Sequence, residues 1–477
     1  MKKIRFITLF LRHFFKRLSR KQLRLLSFKS LSARQKKGLI LIPVLFLSLA
    51  LLIKFASDNN SNGSFSEGIV GFYTQENLPA SVAGLISEPL VILDQSGHPQ
   101  SNLVSGWQVN NNATVYTFKL KNDLMWNDGT RVKSRDIQFN LADVEVSYPD
   151  EATIEFKLVD SFSPFPTLLT APVFKDGGLV GLGKYKVVKE EKVKGITSKL
   201  ILHPSRKDDS SANRLPVVTI RFYGDEKTAR TAFELGEIDS LLGVSNTSEW
   251  VNHPSVSLKN IPNFNKLVAI FYNTQDPILS DKNLRKILGL AVPLIEGEER
   301  AKSPIFAGSW AYNDQLKETI GDKETAKSLL SKVENGKEST ITLTATPSLS
   351  DLGEQIVQAW EEIGFKAVLR VESGIPQNFQ ALLQPQSVPT DPDQYALWHS
   401  TQTKTNLSKL VSARIDKDLE DGRKISDPEE RKEKYLDFQR VLLDESPATF
   451  LYFPKTTVVF RKRVENDLNK VLDLQIN

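Results

Sequence analysis

The spacing of apolar residues divides most of the chain into short strands and amphipathic helices. Val115–Leu120 alternates apolar and polar, as a strand with one buried face does. Thr153–Leu158, Leu200–His203 and Val217–Phe222 read the same way, and Glu88–Asp94, Trp107–Val109 and Met125–Trp126 add shorter pieces. Leu267–Asn273 is a continuous apolar run, which suits a strand covered on both faces. Helices are expected over Ser134–Leu141, Glu226–Leu235 with Gly236 as its stop, Asp281–Val292, a stretch starting at Thr325, and Leu352–Ile363 ended by Gly364. Ile415–Lys424 and the run opened by Asp427-Pro428-Glu429-Glu430 form a helix pair. In the second helix Asp427 caps, Pro428 sits at N1, and Tyr435, Phe438, Val441 and Leu442 mark the buried face. Pro447 ends it, and Thr449–Phe453 follows as a buried strand. Strand–helix–strand repetition after residue 264 predicts a parallel-rich α/β half.

Charge changes this picture at one end. Residues 1–54 hold 14 Lys and Arg and no acid, so the overall +5 conceals a −9 balance over the rest of the 477 residues. Gly38–Ala56 is apolar apart from Lys54, and 19 helical residues span about 28 Å against a hydrocarbon core of about 30 Å. A transmembrane helix over 38–56 is expected, with a cleaved signal peptide as the alternative; the basic amphipathic segment 1–37 is then cytoplasmic and the body exported. Residues 57–66 read as a polar tether.

Enzyme chemistry finds little to stand on. The chain has no cysteine, which excludes disulfides, thiol catalysis and thiolate metal sites. Of five histidines, His98, His203 and His253 each precede a proline and read as turn residues. No Gly-x-Ser-x-Gly, His-Glu-x-x-His or EF-hand loop is present. Gly181–Val188, GLGKYKVV, lacks the lysine spacing of a phosphate loop. No cofactor, metal or nucleic acid is called for.

Several linked segments carry a resemblance. They are residues 88–141 (EPLVILDQSGHPQSNLVSGWQVNNNATVYTFKLKNDLMWNDGTRVKSRDIQFNL), GLGKYKVV, Gly236-Glu-Ile-Asp239, and residues 271–292 (FYNTQDPILSDKNLRKILGLAV). Trp310–Asp314, DPDQYALWHSTQ from Asp391, IDKDLEDGRK from Ile415, DPEERKEKYLDFQRVL from Asp427 and SPATFLYFP from Ser446 follow in order. Together they resemble the extracellular solute-binding protein family 5, the peptide-type receptors of ABC importers. The resemblance implies an α/β, two-lobed periplasmic-binding-protein-like fold (type II, cluster C-like) with a third lobe. Here that lobe is reduced, because an insertion usual between the counterparts of Leu141 and Val144 is nearly gone, and Glu296–Lys302 replaces a longer loop. Lobe I is expected over 67–264 and 455–477, with the side lobe about 90–178, and lobe II over 265–454.

The same resemblance implies capture of an oligopeptide between the lobes and its delivery to an ABC permease, without turnover. A receptor for a non-peptide solute and a transport-inactive sensor or scaffold are the alternatives. The family's acid for the peptide ammonium falls near Val388, which is not acidic; Asp391 and Asp393 are the candidates to replace it, with turn formation and helix capping as their other role. Tyr395, Trp398 and His399, with Trp310 and Tyr312, are the remaining candidate ligand contacts, against lobe packing as the alternative. Trp107, Trp126 and Trp360 are assigned to the core.

Overall fold

The computed structural model describes residues 63–205, 215–333 and 340–476. The expected basic segment, the transmembrane helix 38–56 and most of the tether lie outside these residues. Among the described residues, no helix is long and apolar enough to cross a membrane. The tether ends earlier than expected: Ser64–Val70 is already a strand, with Phe65 buried and paired with Val218.

The first half begins with β1 (Ser64–Val70) and α1 (Ala80–Ile86). A ribbon of β2 (Val91–Leu93) and β3 (Pro99–Ser101) leads into β4 (Val104–Val109), β5 (Val115–Leu120), β6 (Val144–Asp150) and β7 (Thr153–Leu158). These last four form an antiparallel sheet in the order β4-β5-β7-β6. On β5 the alternation buries Tyr116, Phe118 and Leu120. The chain turns tightly at Asp143 (φ 59) straight into β6. Next come β8 (Tyr185–Val193), β9 (Ile196–Pro204), β10 (Val217–Tyr223), α2 (Glu226–Leu235), β11 (Ser240–Leu242) and β12 (Val256–Pro262).

The second half contains β13 (Lys266–Tyr272), α3 (Lys282–Ala291), β14 (Glu299–Arg300), α4 (Lys323–Leu330), β15 (Thr340–Ala345), α5 (Ser350–Ile363), β16 (Lys366–Val371) and β17 (Ala381–Ser387). It continues with α6 (Tyr395–Trp398), α7 (Ala413–Lys424), α8 (Pro428–Glu445) and β18 (Ala448–Phe453). The chain then returns to the first half with β19 (Lys455–Arg461) and ends in α9 (Glu465–Ile476).

Two large sheets result. One runs β12-β19-β11-β1-β10-β9-β8, the other β14-β18-β13-β17-β15-β16. The run on β13 is apolar throughout because both faces are covered. Val268, Ile270 and Tyr272 join one core with Ile356 and Trp360 of α5, while Leu267, Ala269 and Phe271 join another with Tyr435 and Phe438 of α8. Each fully buried Val, Leu, Ile or Phe among them contributes about 1.5–3 kcal/mol. The first half has cores of its own, built from β1, β9, β10, β19 and α9 on one face and α2, β11 and Trp250 on the other. The chain passes between the large sheets twice among the described residues, at Asn263–Asn265 and at Pro454. The two crossings are adjacent, joined by Asn263 N–H to Pro454 O at 2.9 Å.

Several expectations are corrected. The second large sheet is mixed rather than parallel-rich: β15 pairs in parallel with β16 and β17, but β13 lies antiparallel to both neighbours and β14 antiparallel to β18. The expected helix at Ser134–Leu141 is only a 3-10 turn over Ser134–Asp136, where Asp136 turns back to accept Trp126 Nε1–H and Lys133 N–H. Met125 makes one bridge to Arg131 and no strand. His203 lies in β9, as the strand pattern of Leu200–His203 predicts, and not in the turn that His-Pro suggests. Trp126 and Trp360 are buried, but Trp107 is only half-buried, stacked on Phe118. The Gly181 stretch is a packing device: Gly183 N–H bonds Ile86 O at 2.9 Å, and a Cβ on Gly183 would stand 2.6 Å from Leu85 O.

Candidate functional site

The stretch after β17 is tied to the first crossing. Val388 N–H donates to Asn265 O at 3.0 Å and Thr390 Oγ1 to Asn265 Oδ1 at 2.7 Å. Asp391 then makes a turn on itself, its carboxylate accepting the Asp393 N–H at 2.9 Å. The same carboxylate meets Arg431 of α8 in a two-point pair, at 3.0 and 2.5 Å. Arg431 is itself buried, donates to Gly422 O and to the Tyr435 hydroxyl, and lies over the rings of Trp310 and Tyr435. Burial works against its charge, yet Asp391 more than offsets this and raises its pKa. α7 and α8 approach closely here because residue 422 is glycine: a Cβ would stand 2.9 Å from the Tyr435 ring.

A second pair lies beside the first. Asp393 accepts Tyr395 N–H at 3.2 Å and Arg423 Nε–H at 3.1 Å, and burial pushes its carboxyl above the usual range. The Arg423 guanidinium is sandwiched, 4.3 Å from the Tyr395 ring and 4.8 Å from that of Phe162. Phe162 follows β7, in the first half. Its neighbour Ser163 donates its N–H to Arg423 O at 2.7 Å, and Phe162 O is held by the Tyr116 hydroxyl, whose pKa burial pushes up to about 12. A second contact between the halves lies at the turn after β2. Trp310 N–H donates to Ser96 O at 2.9 Å, and His98 stacks on the Trp310 ring at 5.1 Å. The two halves therefore meet along a seam that includes Trp310, Thr390, Asp391, Asp393 and Tyr395.

Of the seven residues singled out from sequence, Asp391, Asp393, Tyr395 and Trp310 come together at this seam. Both oxygens of Asp391 already accept a guanidinium, so its cation is supplied by the chain itself. Trp398 is core, 3 % exposed between Phe271 and Phe450. His399 is buried under Tyr395, its Nδ1 2.8 Å from Thr401 Oγ1 and its Nε2 3.3 Å from Glu420. Tyr312 turns away and lines a cavity of about 590 Å³ between residues 307–315 and α8. Arg423, Arg431 and Phe162 stand outside the candidates that the sequence offers, and His98, a turn residue as its His-Pro pair suggests, is at the seam as well. The Arg431/Tyr435 spacing was a usable signal, since residues four apart share a helix face.

On the outer side of the helix pair, Asp418 of α7 is buried against Asp437 of α8. Burial, then the neighbouring carboxylate, pushes Asp418 up to about 6, whereas hydrogen bonds from Arg414 and Arg440 outweigh burial at Asp437 and hold it near 2. A carboxyl raised in the folded state stabilises fully below its unfolded value of 3.8 and loses that contribution as pH rises through about 6. Asp418→Asn, which keeps a donor for Asp437, is therefore expected to raise stability at pH 8 by about 1–2 kcal/mol. It should also flatten the fall in melting temperature between pH 4 and 7, measured by calorimetry.

Two large mixed sheets, separate cores and a pair of adjacent crossings define a solute-binding-protein architecture. The chain belongs to the bacterial extracellular solute-binding proteins, family 5, whose sequence pattern matches residues 98–407. The oligopeptide-binding protein AppA of Bacillus subtilis is 24 % identical over 298 residues, 53 % of this chain and 53 % of that protein, so the match spans about half the length of this relative. The probable D,D-dipeptide-binding periplasmic protein DdpA of Escherichia coli is 20 % identical over 427 residues, 77 % of this chain and 81 % of that one. Among solved structures, the ABC transporter substrate-binding protein CtaP of Listeria monocytogenes superposes with a TM-score of 0.69 at 20 % identity, over 84 % of this chain and 95 % of that one.

Proposed function

We propose that this protein captures oligopeptides along the seam between its two halves and hands them to an ABC permease without altering them. Residues 38–56 anchor it to the cell membrane, with the N-terminus cytoplasmic and the body outside. The observation that carries this reading is the seam itself. The two halves have separate cores, and near residues 391–395 they touch through a sandwiched guanidinium, a stacked histidine and a few hydrogen bonds. Such contacts are weak enough to exchange for a ligand's, and the adjacent crossings at 263–265 and 454 are a natural hinge. The names of the two curated relatives support a peptide as the guest.

Opening the seam lifts Phe162 off Arg423 and gives access to Asp393 and the Tyr395 face. A peptide ammonium then competes with Arg423 for the Asp393 carboxylate. A charge-assisted bond of this kind contributes about 1.5–3 kcal/mol, which fixes the register of the chain while its side chains stay free to vary. A ligand that binds only the folded form stabilises it by about 2.7 kcal/mol at a hundred times its Kd. The purified full-length protein is therefore expected to melt several degrees higher with a mixed oligopeptide pool. Asp393→Asn should remove most of that gain. No gain with any peptide in the wild type defeats the reading, and the mass spectrum of co-purifying ligand then names the class that replaces it.

A further inference from the structure

The hollow of about 590 Å³ is open to solvent and lined only by residues of the second half, from 307–315 and from α8, with Trp310 shared between it and the seam. Ligand pockets for small molecules run from about 300 to 1,000 Å³. Its walls are held in place. Asn313 Nδ2 donates to Leu436 O at 3.1 Å, and Trp310 is fixed by Ser96, His98 and Tyr435. Its charges are of two kinds. Asp437 and Arg440 are paired with each other, and Asp437 also takes Arg414 at 2.7 and 3.0 Å. Lys432, half-buried, and Asp314, exposed, form no ion pair or side-chain hydrogen bond among the described residues. One unspent ammonium and one unspent carboxylate thus line a cavity that also has an apolar wall of Trp310, Tyr312 and Leu436.

We propose that this cavity is a second ligand site, for a free α-amino acid or a molecule of the same zwitterionic class. The ligand carboxylate lies towards Lys432, its ammonium towards Asp314, and its side chain on the aromatic wall. A single ion of either sign leaves one of the two protein charges unmatched, whereas a zwitterion answers both. The site goes beyond the peptide reading and does not depend on it, since no residue of the first half contributes to the cavity. Trp310 links the two places: one part of it lines the cavity, and its ring stacks on His98 and covers Arg431 at the seam.

The test is titration calorimetry of the full-length protein with L-leucine, leucinamide and N-acetyl-leucine, which remove no charge, the carboxylate and the amine respectively. Saturable leucine binding is expected, at least about fivefold tighter than either blocked form. Lys432→Met should abolish the preference over leucinamide while keeping the preference over N-acetyl-leucine, and Asp314→Asn should do the reverse. Peptide-induced stabilisation should survive in both variants. The proposal fails if leucine does not bind up to about 10 mM. It also fails if leucine binds equally to wild type and both variants, or is displaced by peptide in proportion to occupancy of the seam. A protein that binds leucine with these preferences but no peptide keeps this site and loses the transport reading.

Discussion

Asp391→Ala is expected to cost about 3–5 kcal/mol of stability, because it leaves the Arg431 guanidinium buried without its counter-ion. Arg431 is 7 % exposed and Asp391 5 %. The loss should appear as a large drop in the urea midpoint at unchanged slope. The double variant Asp391→Ala/Arg431→Met should recover most of it, since replacing both members of a buried pair by apolar groups is far milder than orphaning one. A single variant as stable as wild type would show that water or another carboxylate reaches Arg431. The distinction bears on function as well. Asp391→Ala weakens peptide binding through loss of folded protein, whereas Asp393→Asn weakens it in protein that remains folded.

Arg285→Met should be comparably severe, at about 3–5 kcal/mol. Arg285 of α3 is 2 % exposed and faces no carboxylate directly; its guanidinium donates instead to four main-chain carbonyls. These are Ser446 O at 2.9 Å, Leu279 O at 2.7 Å, Ser280 O at 3.0 Å and Glu445 O at 2.5 Å. Two of them belong to the end of α8, where Ser446 adopts a left-handed conformation (φ 49) and leaves carbonyls without helical partners. A buried acceptor left unmatched costs about 1–3 kcal/mol, and water can reach only some of the four. Arg285→Lys should recover less than half, because an ammonium cannot reproduce the fork. Thermal unfolding of the three proteins side by side decides this, and equal melting temperatures would contradict the assigned role.

The legible parts of this protein were those set by neighbours in sequence. The Asp427 cap and Pro428 of α8 were readable, and Asp427 indeed accepts the N–H groups of Glu429 and Glu430. So were the alternation of β5, the apolar run of β13 and the stop at Gly364 (φ 107). The linked motifs from 88 to 454 carry the family resemblance, which the match over residues 98–407 bears out. Failures fell where local preference met a tertiary competitor. Ser134–Leu141 has helical spacing, but Asp136 is claimed by Trp126 and the helix stops after one turn. His203 precedes a proline yet is held in β9 by pairing with β8.

The charges of the site divide in the same way. The sequence could say that Asp391 and Asp393 sit in a polar, aromatic loop before two helices, and that such a loop suits ligand contact. It could not say that Arg431, 40 positions on, closes on Asp391, or that Phe162 crosses from the other half to cover Arg423. Backbone preferences act over a few residues, so elements and caps are written locally. Which ions neutralise one another inside a fold depends on where distant segments are brought by their packing.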